Sequence, residues 1–208
     1  MLFRSFFDRL EVSYARQEFD TGKTGSLLGI GDGYTFEQDV IGAKLRIAGD
    51  AVYDQNSWLP QIAVGAQMKI NRNDSLVGAL GAADDHSTDF YVAATKILLS
   101  QSLLLSGAVR FTEANQFGLL GYGGAGEKHS AQFEGSAGYM LTDRFVVGAE
   151  MRTKPDNLAF AKEDNSYDAF AAYAVSHNFT ITAAYVDLGS IATFDNQRGL
   201  YLSLQAGF

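Results

Sequence analysis

The stretch from Ser130 to Leu141 reads SAQFEGSAGYML and decides the fold class. Its odd positions are Ala131, Phe133, Gly135, Ala137, Tyr139 and Leu141; its even positions are Ser130, Gln132, Glu134, Ser136, Gly138 and Met140. Side chains that change character at every second residue belong to a strand with one apolar and one mostly polar face. The same pattern recurs along the chain. Ile41, Ala43, Leu45 and Ile47 alternate with Gly42, Lys44, Arg46 and Ala48, and Leu200, Leu202, Leu204, Ala206 and Phe208 alternate with Gly199, Tyr201, Ser203, Gln205 and Gly207. Stretches beginning near Gln61, Leu103, Phe145 and Phe179 repeat it, and 9–19, 88–98 and 166–175 do so less cleanly. The reading is an all-β chain of about ten strands, each about ten residues long. No long segment carries the i, i+3, i+4, i+7 spacing of an amphipathic helix.

Composition agrees. The chain has 208 residues, which predicts a single domain over 1–208. Hydrophobic residues make up 47%, too many for a disordered chain. With 22 Gly, 15 Phe, 10 Tyr and only 2 Pro, it resembles a protein of strands and turns. A net charge of −8 offers no basic stripe and argues against nucleic-acid binding. The absence of Cys removes disulfides, thiolate nucleophiles and Cys-ligated metals. The most apolar run, Ile97 to Val109, is interrupted by Ser100, Gln101, Ser102 and Ser106, and is too short for a spanning helix. Met1 to Asp8 lacks the apolar core and cleavage site of a signal peptide, so either export does not concern this protein or the natural beginning is expected upstream of it.

The links alternate in length. Those near 99–101, 142–144 and 176–178 are short; those near 20–37, 71–87, 112–128, 153–165 and 189–197 are long and rich in Gly, Asp and Asn; 49–59 is a longer member of the first group. Short turns at one end and long loops at the other describe an antiparallel up-and-down meander and match an outer-membrane barrel. A soluble lipocalin-like barrel has the same period with the apolar face inward. Three features favour the apolar face outward. Small residues crowd the polar face (Gly42, Ala48, Ala63, Gly65, Ala108, Gly138, Gly148), as a narrow lumen would require. Aromatic residues Phe111, Tyr139, Phe145, Phe179, Tyr185 and Phe208 lie toward the ends of the apolar face, like interfacial girdles. The chain closes on Phe208, which resembles the C-terminal signal read by the barrel assembly machinery.

In that orientation the lumen is lined by Lys44, Arg46, Lys69, Arg110, Glu134, Glu150, Arg152 and Asp168. A three-residue turn at 142–144 sets Glu134 opposite Arg152 and Ser136 opposite Glu150, and predicts a Glu134–Arg152 ion pair. Mixed charges of this kind either plug a narrow barrel or form a charge-selective constriction.

Candidate chemistry is sparse. Asp84, Asp85 and His86 sit in a long link, where Asp and His at a barrel rim activate water in outer-membrane proteases; a solvated acidic loop is the competing reading. His129 precedes Ser130, but a Ser–His hydrolase needs the two on neighbouring strands. His177 reads as a turn residue. The run from Gly121 to Gly126 lacks the strand–helix context and Lys-Ser/Thr ending of a phosphate loop, and reads as a flexible outer loop. Glu163 and Asp164 could hold Ca²⁺ against lipopolysaccharide phosphates, although no spacing makes that specific. No catalytic residue, resident metal or cofactor is assigned.

Four stretches carry a family likeness: Glu11 to Asp20 (EVSYARQEFD), Gly49 to Gly65 (GDAVYDQNSWLPQIAVG), Arg152 to Leu158 (RTKPDNL) and Asp195 to Leu204 (DNQRGLYLSL). They resemble the bacterial family known as domain of unknown function 3034, along nearly the whole chain. The resemblance implies a Gram-negative outer-membrane barrel, supplies no activity or site residues, and implies about twelve strands in longer relatives. The segment 152–158, running on through Phe160 and Lys162 to Asp164, is expected to fold into the barrel mouth with Arg152 and Lys154 near Glu163 or Asp164. Tyr53 and Trp58 are expected to pack at the opposite rim, Trp58 as an interfacial anchor. The leading expectation is therefore an outer-membrane β-barrel serving as a narrow channel or an envelope transport or structural protein. Its partners would be outer-membrane lipid, lipopolysaccharide, the assembly machinery and small solutes. The alternatives are an outer-membrane hydrolase acting at the rim and a soluble lipocalin-like barrel holding an apolar ligand.

Overall fold

The alternating segments become strands in a computed structural model of the chain, which describes residues 2–7, 9–27, 29–54, 57–124, 129–159, 163–191 and 194–207. Among these lie eleven strands: β1 (Leu2–Phe6), β2 (Leu10–Asp20), β3 (Thr35–Ala48), β4 (Gln61–Asn71), β5 (His86–Leu98), β6 (Leu103–Thr112), β7 (Ser130–Thr142), β8 (Phe145–Arg152), β9 (Ser166–Ser176), β10 (Phe179–Asp187) and β11 (Arg198–Ala206). Each pairs antiparallel with the next, giving one sheet in chain order with β1 and β11 at its edges. The up-and-down all-β fold and ten of the strands are as expected. The eleventh, β1, is five residues of LFRSF, too short to show alternation. Helix among the described residues is confined to α1 (Thr24–Leu27), α2 (Asp74–Ala79) and two 3₁₀ turns. Among the described residues no helix is long and apolar enough to cross a membrane, which says nothing about strands.

The sheet curls around its polar face. A segment of the β6–β7 link touches Gln38 on β3 and Asn71 on β4, and also Lys154 just past β8. All three belong to the parity that carries the charged residues, so that face is the inside. The apolar parity stands outside: Val12, Ile41, Leu45, Phe90, Val92, Phe133, Tyr185 and Leu202 are all exposed. This is the reverse of a soluble barrel that shelters an apolar ligand. Phe145 and Tyr173, cross-strand partners on β8 and β9, meet edge to face on the outer surface with ring centroids 6.4 Å apart.

Small inward residues have a packing reason. A Cβ on Gly65 would stand 2.3 Å from the Tyr91 ring, and one on Gly148 would stand 2.5 Å from the Phe170 ring. Each aromatic ring lies across a neighbouring glycine and fills a narrow interior that two large side chains would overfill.

Long links gather at one end and short ones at the other. At the short end β7 and β8 join through Asp143 and Arg144 alone, with a bulge between Met140 and Thr142. The turn is thus one residue shorter than expected, and the bulge restores the expected register beyond it: Glu134 faces Arg152 and Ser136 faces Glu150. The 49–60 link is organised by two side chains. Asp50 pairs with Arg46 and accepts the Val52 and Tyr53 amides at 2.9 Å each. Those amides, Tyr53 first, hold its carboxyl below the usual range. Lys96 donates to the carbonyls of Asp54, Ser57 and Leu59. Tyr53 and Trp58 do not pack at this rim; they project from it, 91% and 88% exposed. At the long end Phe36, Leu120 and Leu158 form a small apolar cluster with Tyr34, Leu76 and Leu119 around it. Strand β3 and the links after β4, β6 and β8 thereby meet in one packed unit.

Candidate functional site

The interior wall of β4–β7 carries a chain of charges. Lys69 Nζ lies 2.7 Å from Asp89 Oδ2, and Asp89 is fully buried. Arg110 Nη1 reaches the same oxygen at 3.5 Å and donates to Gln67 Oε1 at 2.7 Å. Its Nε donates to Glu134 Oε1 at 2.6 Å, and its guanidinium sits over the Tyr91 ring at 4.8 Å. Lys69, Arg110 and Glu134 are therefore tied together on the charged face of the sheet through Asp89. The expected Glu134–Arg152 ion pair does not form, although the two stand opposite. Glu134 has a neighbouring strand on each side, and Arg110 on β6 takes it from the other one. Arg152 is instead 3.7 Å from Glu150.

Above this wall the β6–β7 link folds inward as a plug. Its 3₁₀ turn, Asn115–Gly118, places Gln116, Phe117 and Gly118 in the left-handed region, at φ 44°, 61° and 104°. Two non-glycine residues held there mark a backbone constrained by its surroundings. The constraints are polar. Asn71 Nδ2 donates to the carbonyls of Gly118 and Leu119 at 2.9 Å each. Gln38 Nε2 donates to Gln17 Oε1 at 2.7 Å and to the Phe117 carbonyl at 3.3 Å, and its Oε1 accepts from Tyr122 Oη. Asn157 Nδ2 donates to the Glu113 carbonyl and to Asn115 Oδ1. Tyr122 has no exposed surface, and burial pushes its hydroxyl pKa far up. The stretch from Gly121 onward is thus no free outer loop: Gly121, Tyr122 and Gly123 are buried, and Ala125 to Gly126 fall outside the described residues.

A buried pair latches the plug to its neighbours. Lys154 Nζ donates to Gln116 Oε1 at 3.0 Å and to the Leu188 and Ser190 carbonyls at 2.8 and 3.3 Å. It lies 3.2 Å from Glu163 Oε2, and both side chains are essentially inaccessible. Neither Glu163 oxygen accepts a hydrogen bond, and burial raises its carboxyl pKa against the opposing pull of Lys154. The expected infolding of the 153–165 link is present at Lys154 and Glu163. Arg152 takes no part in that pair, and Phe160 and Lys162 lie outside the described residues. Glu163, sealed against Lys154, is not a surface Ca²⁺ ligand.

Beside the plug an open space of 550 Å³ remains along β8–β11. Phe117 caps it, and Glu150, Arg152, Asp168, Tyr201 and Gln205 line it. Of the other lumen candidates, Lys44 shares the inner face with its cross-strand partner Glu11, and Arg46 is turned to Asp50 at the short-turn end.

The rim groups form no nucleophile–base pair. His86 Nδ1 lies 2.7 Å from Asp85 Oδ1 and holds that carboxyl below its usual pKa, but both are exposed. Asp84 acts through its backbone, which bridges to Tyr122 of the plug. Ser87 Oγ donates to Glu113 Oε1 at 2.6 Å, and His129 Nδ1 lies 3.7 Å from the same oxygen. The carboxylate stands between hydroxyl and imidazole, so His129 is not placed to take the serine proton. His177 is in the β9–β10 turn. Among the described residues no cluster of three or more His, Asp or Glu is arranged to hold a metal ion.

Sequence reasoning missed the plug and its anchors, Gln38, Asn71, Gln116, Tyr122 and Asn157. The available signal was amide side chains at the loop-proximal, inward positions of β3 and β4, where a water-filled lumen alone would not require them.

A family model described as "Protein of unknown function (DUF3034)" matches residues 2–205. No curated protein matches the chain. No solved structure matches it.

Proposed function

The chain belongs to this family of unknown function, and since that membership carries no activity we propose a role from its own residues: an integral β-barrel of a bacterial outer membrane that passes small polar solutes or ions. The observation that supports this most is the exposed outer face. Phe90 is 56% exposed, Phe133 57% and Leu202 68%, and each lies on an apolar parity continued by its neighbours. A contiguous apolar band of this extent is unusual on a soluble monomer and suits lipid tails. The all-antiparallel sheet satisfies its backbone along each ladder, and pairing of its edge strands β1 and β11 would complete what a membrane interior requires. Inside, the plug and the β4–β7 charge network fill part of the lumen, and the space along β8–β11 forms the lane.

The test is single-channel recording of detergent-refolded protein in a planar bilayer. Small, steady conductance steps support the reading. Absence of conductance from protein shown by protease protection to be inserted would overturn the channel role and leave a closed structural barrel.

A further inference from the structure

The lane beside the plug is not electrically balanced. On β4–β7 two cations, Lys69 and Arg110, face two carboxylates, Asp89 and Glu134, and all four are in contact. On the adjoining wall Glu150 and Asp168 are direct cross-strand partners on the inner face of β8 and β9. Carboxylates in that relation repel one another. One guanidinium serves them: Arg152, whose Nη2 is 3.7 Å from Glu150 Oε2, beyond hydrogen-bond distance. Strands β10 and β11 bring Thr182, Tyr201, Ser203 and Gln205 to the cavity and no further charge. The charged lining is thus two carboxylates against one guanidinium.

Position adds to charge. A second, polar cavity of 220 Å³ is lined by Glu134, Glu150 and Arg152, so Glu150 and Arg152 border both spaces. The Glu150 carboxylate and the Arg152 guanidinium therefore stand at the boundary of the two spaces. In a narrow passage with low-dielectric walls, a net fixed charge concentrates ions of the opposite sign far more than it would in open water. The Phe170 ring on the same lining adds an aromatic surface of the kind that tolerates small ammonium groups.

From this we infer that the interior selects small cations, metal or organic ammonium, and that Glu150 and Asp168 set the preference while Arg152 opposes it. The inference rests on the channel reading and names the solute class of that channel.

The experiment is the reversal potential in a tenfold KCl gradient for the full chain and for Glu150→Gln/Asp168→Asn and Arg152→Gln. Expected is a cation preference on the order of tenfold for the parent chain. It should reverse toward anions in the double variant, where Arg152 is left as the charged residue of the lining, with conductance retained, and rise in Arg152→Gln. A parent channel without preference, or one whose preference survives in the double variant, overturns the inference. A second readout separates this from failure of the channel reading. Folded protein in micelles is exposed to two small nitroxides, one carrying an ammonium and one a carboxylate. Stronger broadening of the Phe170 and Tyr201 ring signals by the ammonium probe, lost in the double variant, supports cation selection even if no current is seen. Equal broadening by both probes overturns it.

Discussion

Tyr122 donates its hydroxyl to Gln38 Oε1 at 2.8 Å across 84 positions of sequence, joining the tip of an inward-folded link to the inner face of β3. That bond shows how the plug is tied to the sheet: side chains of β3 and β4 bond to it, alongside bonds within the loop such as Asn115 Nδ2 to the Gly123 carbonyl at 2.8 Å. Removing the hydroxyl leaves a buried Gln38 oxygen unpaired. Tyr122→Phe is expected to cost about 1–2 kcal/mol. The more severe change is Gly118→Ala. An added Cβ would meet Gln38 Oε1 at 2.1 Å and Tyr122 Oη at 2.4 Å, at a residue whose φ is 104°. A loss of about 2 kcal/mol or more is expected. Urea unfolding midpoints measure both losses, and larger or more frequent openings in bilayer recordings should accompany the second.

The Arg110 guanidinium joins β6 to β4 through Gln67 and to β7 through Glu134. Arg110→Met would strand Glu134 and leave Asp89 with Lys69 alone. Breaking one side of such a buried pair is expected to cost about 3–5 kcal/mol. The double change Arg110→Met/Glu134→Gln should recover much of that loss, because no uncompensated charge remains beside the new side chain. A thermal or urea unfolding series of the two variants checks the order. Equal stability of single and double variants would mean that Glu134 finds solvent or Arg152 instead.

Glu163 makes the latch pH-dependent, with a sign fixed by burial. Its carboxyl pKa is raised in the closed, buried arrangement, so that arrangement binds a proton more tightly than an open loop does. The closed state is therefore most favoured below the ordinary carboxylate pKa and loses this contribution as pH rises through the raised value. Opening events should become more frequent from about pH 4 toward pH 7, and Glu163→Gln should flatten that part of the profile. A wild-type profile that is flat there, or that runs the other way, would contradict the assignment to Glu163.

Much of the architecture can be read from alternation because a strand writes its environment into the sequence at every second residue. The run from Ser130 to Leu141 fixes its own faces, and the hairpin after it fixes the Glu134–Arg152 and Ser136–Glu150 register. What a hairpin cannot reveal is the competitor on the far side. Glu134 touches two strands, and the sequence neighbour loses to Arg110. The plug is less legible for a related reason. Glycines from Gly118 to Gly124 signal freedom of the backbone, and the same residues serve a free loop or a tightly held one. The deciding partners, Gln38 and Asn71, lie 80 and 47 residues from Gly118 and announce nothing locally. The infolding at Lys154 was readable in part, since a lysine followed by acidic residues in one link needs a partner when buried. Phe208, read as an assembly signal, lies outside the described residues.

In the proposed orientation the apolar parity of the sheet faces lipid and the charged parity faces a water-filled interior. The chain has no Cys, so single cysteines can be introduced and labelled without background. The most direct measurement places an environment-sensitive or spin label in turn at successive positions 131–139 of β7 in protein folded into vesicles, and compares quenching by a lipid-soluble and a water-soluble agent. A strict alternation is expected: odd positions such as Phe133 and Ala137 respond to the lipid-phase agent, and even positions such as Glu134 and Ser136 to the aqueous one. Labels that all answer to the aqueous agent, or an alternation of the opposite phase, would contradict it.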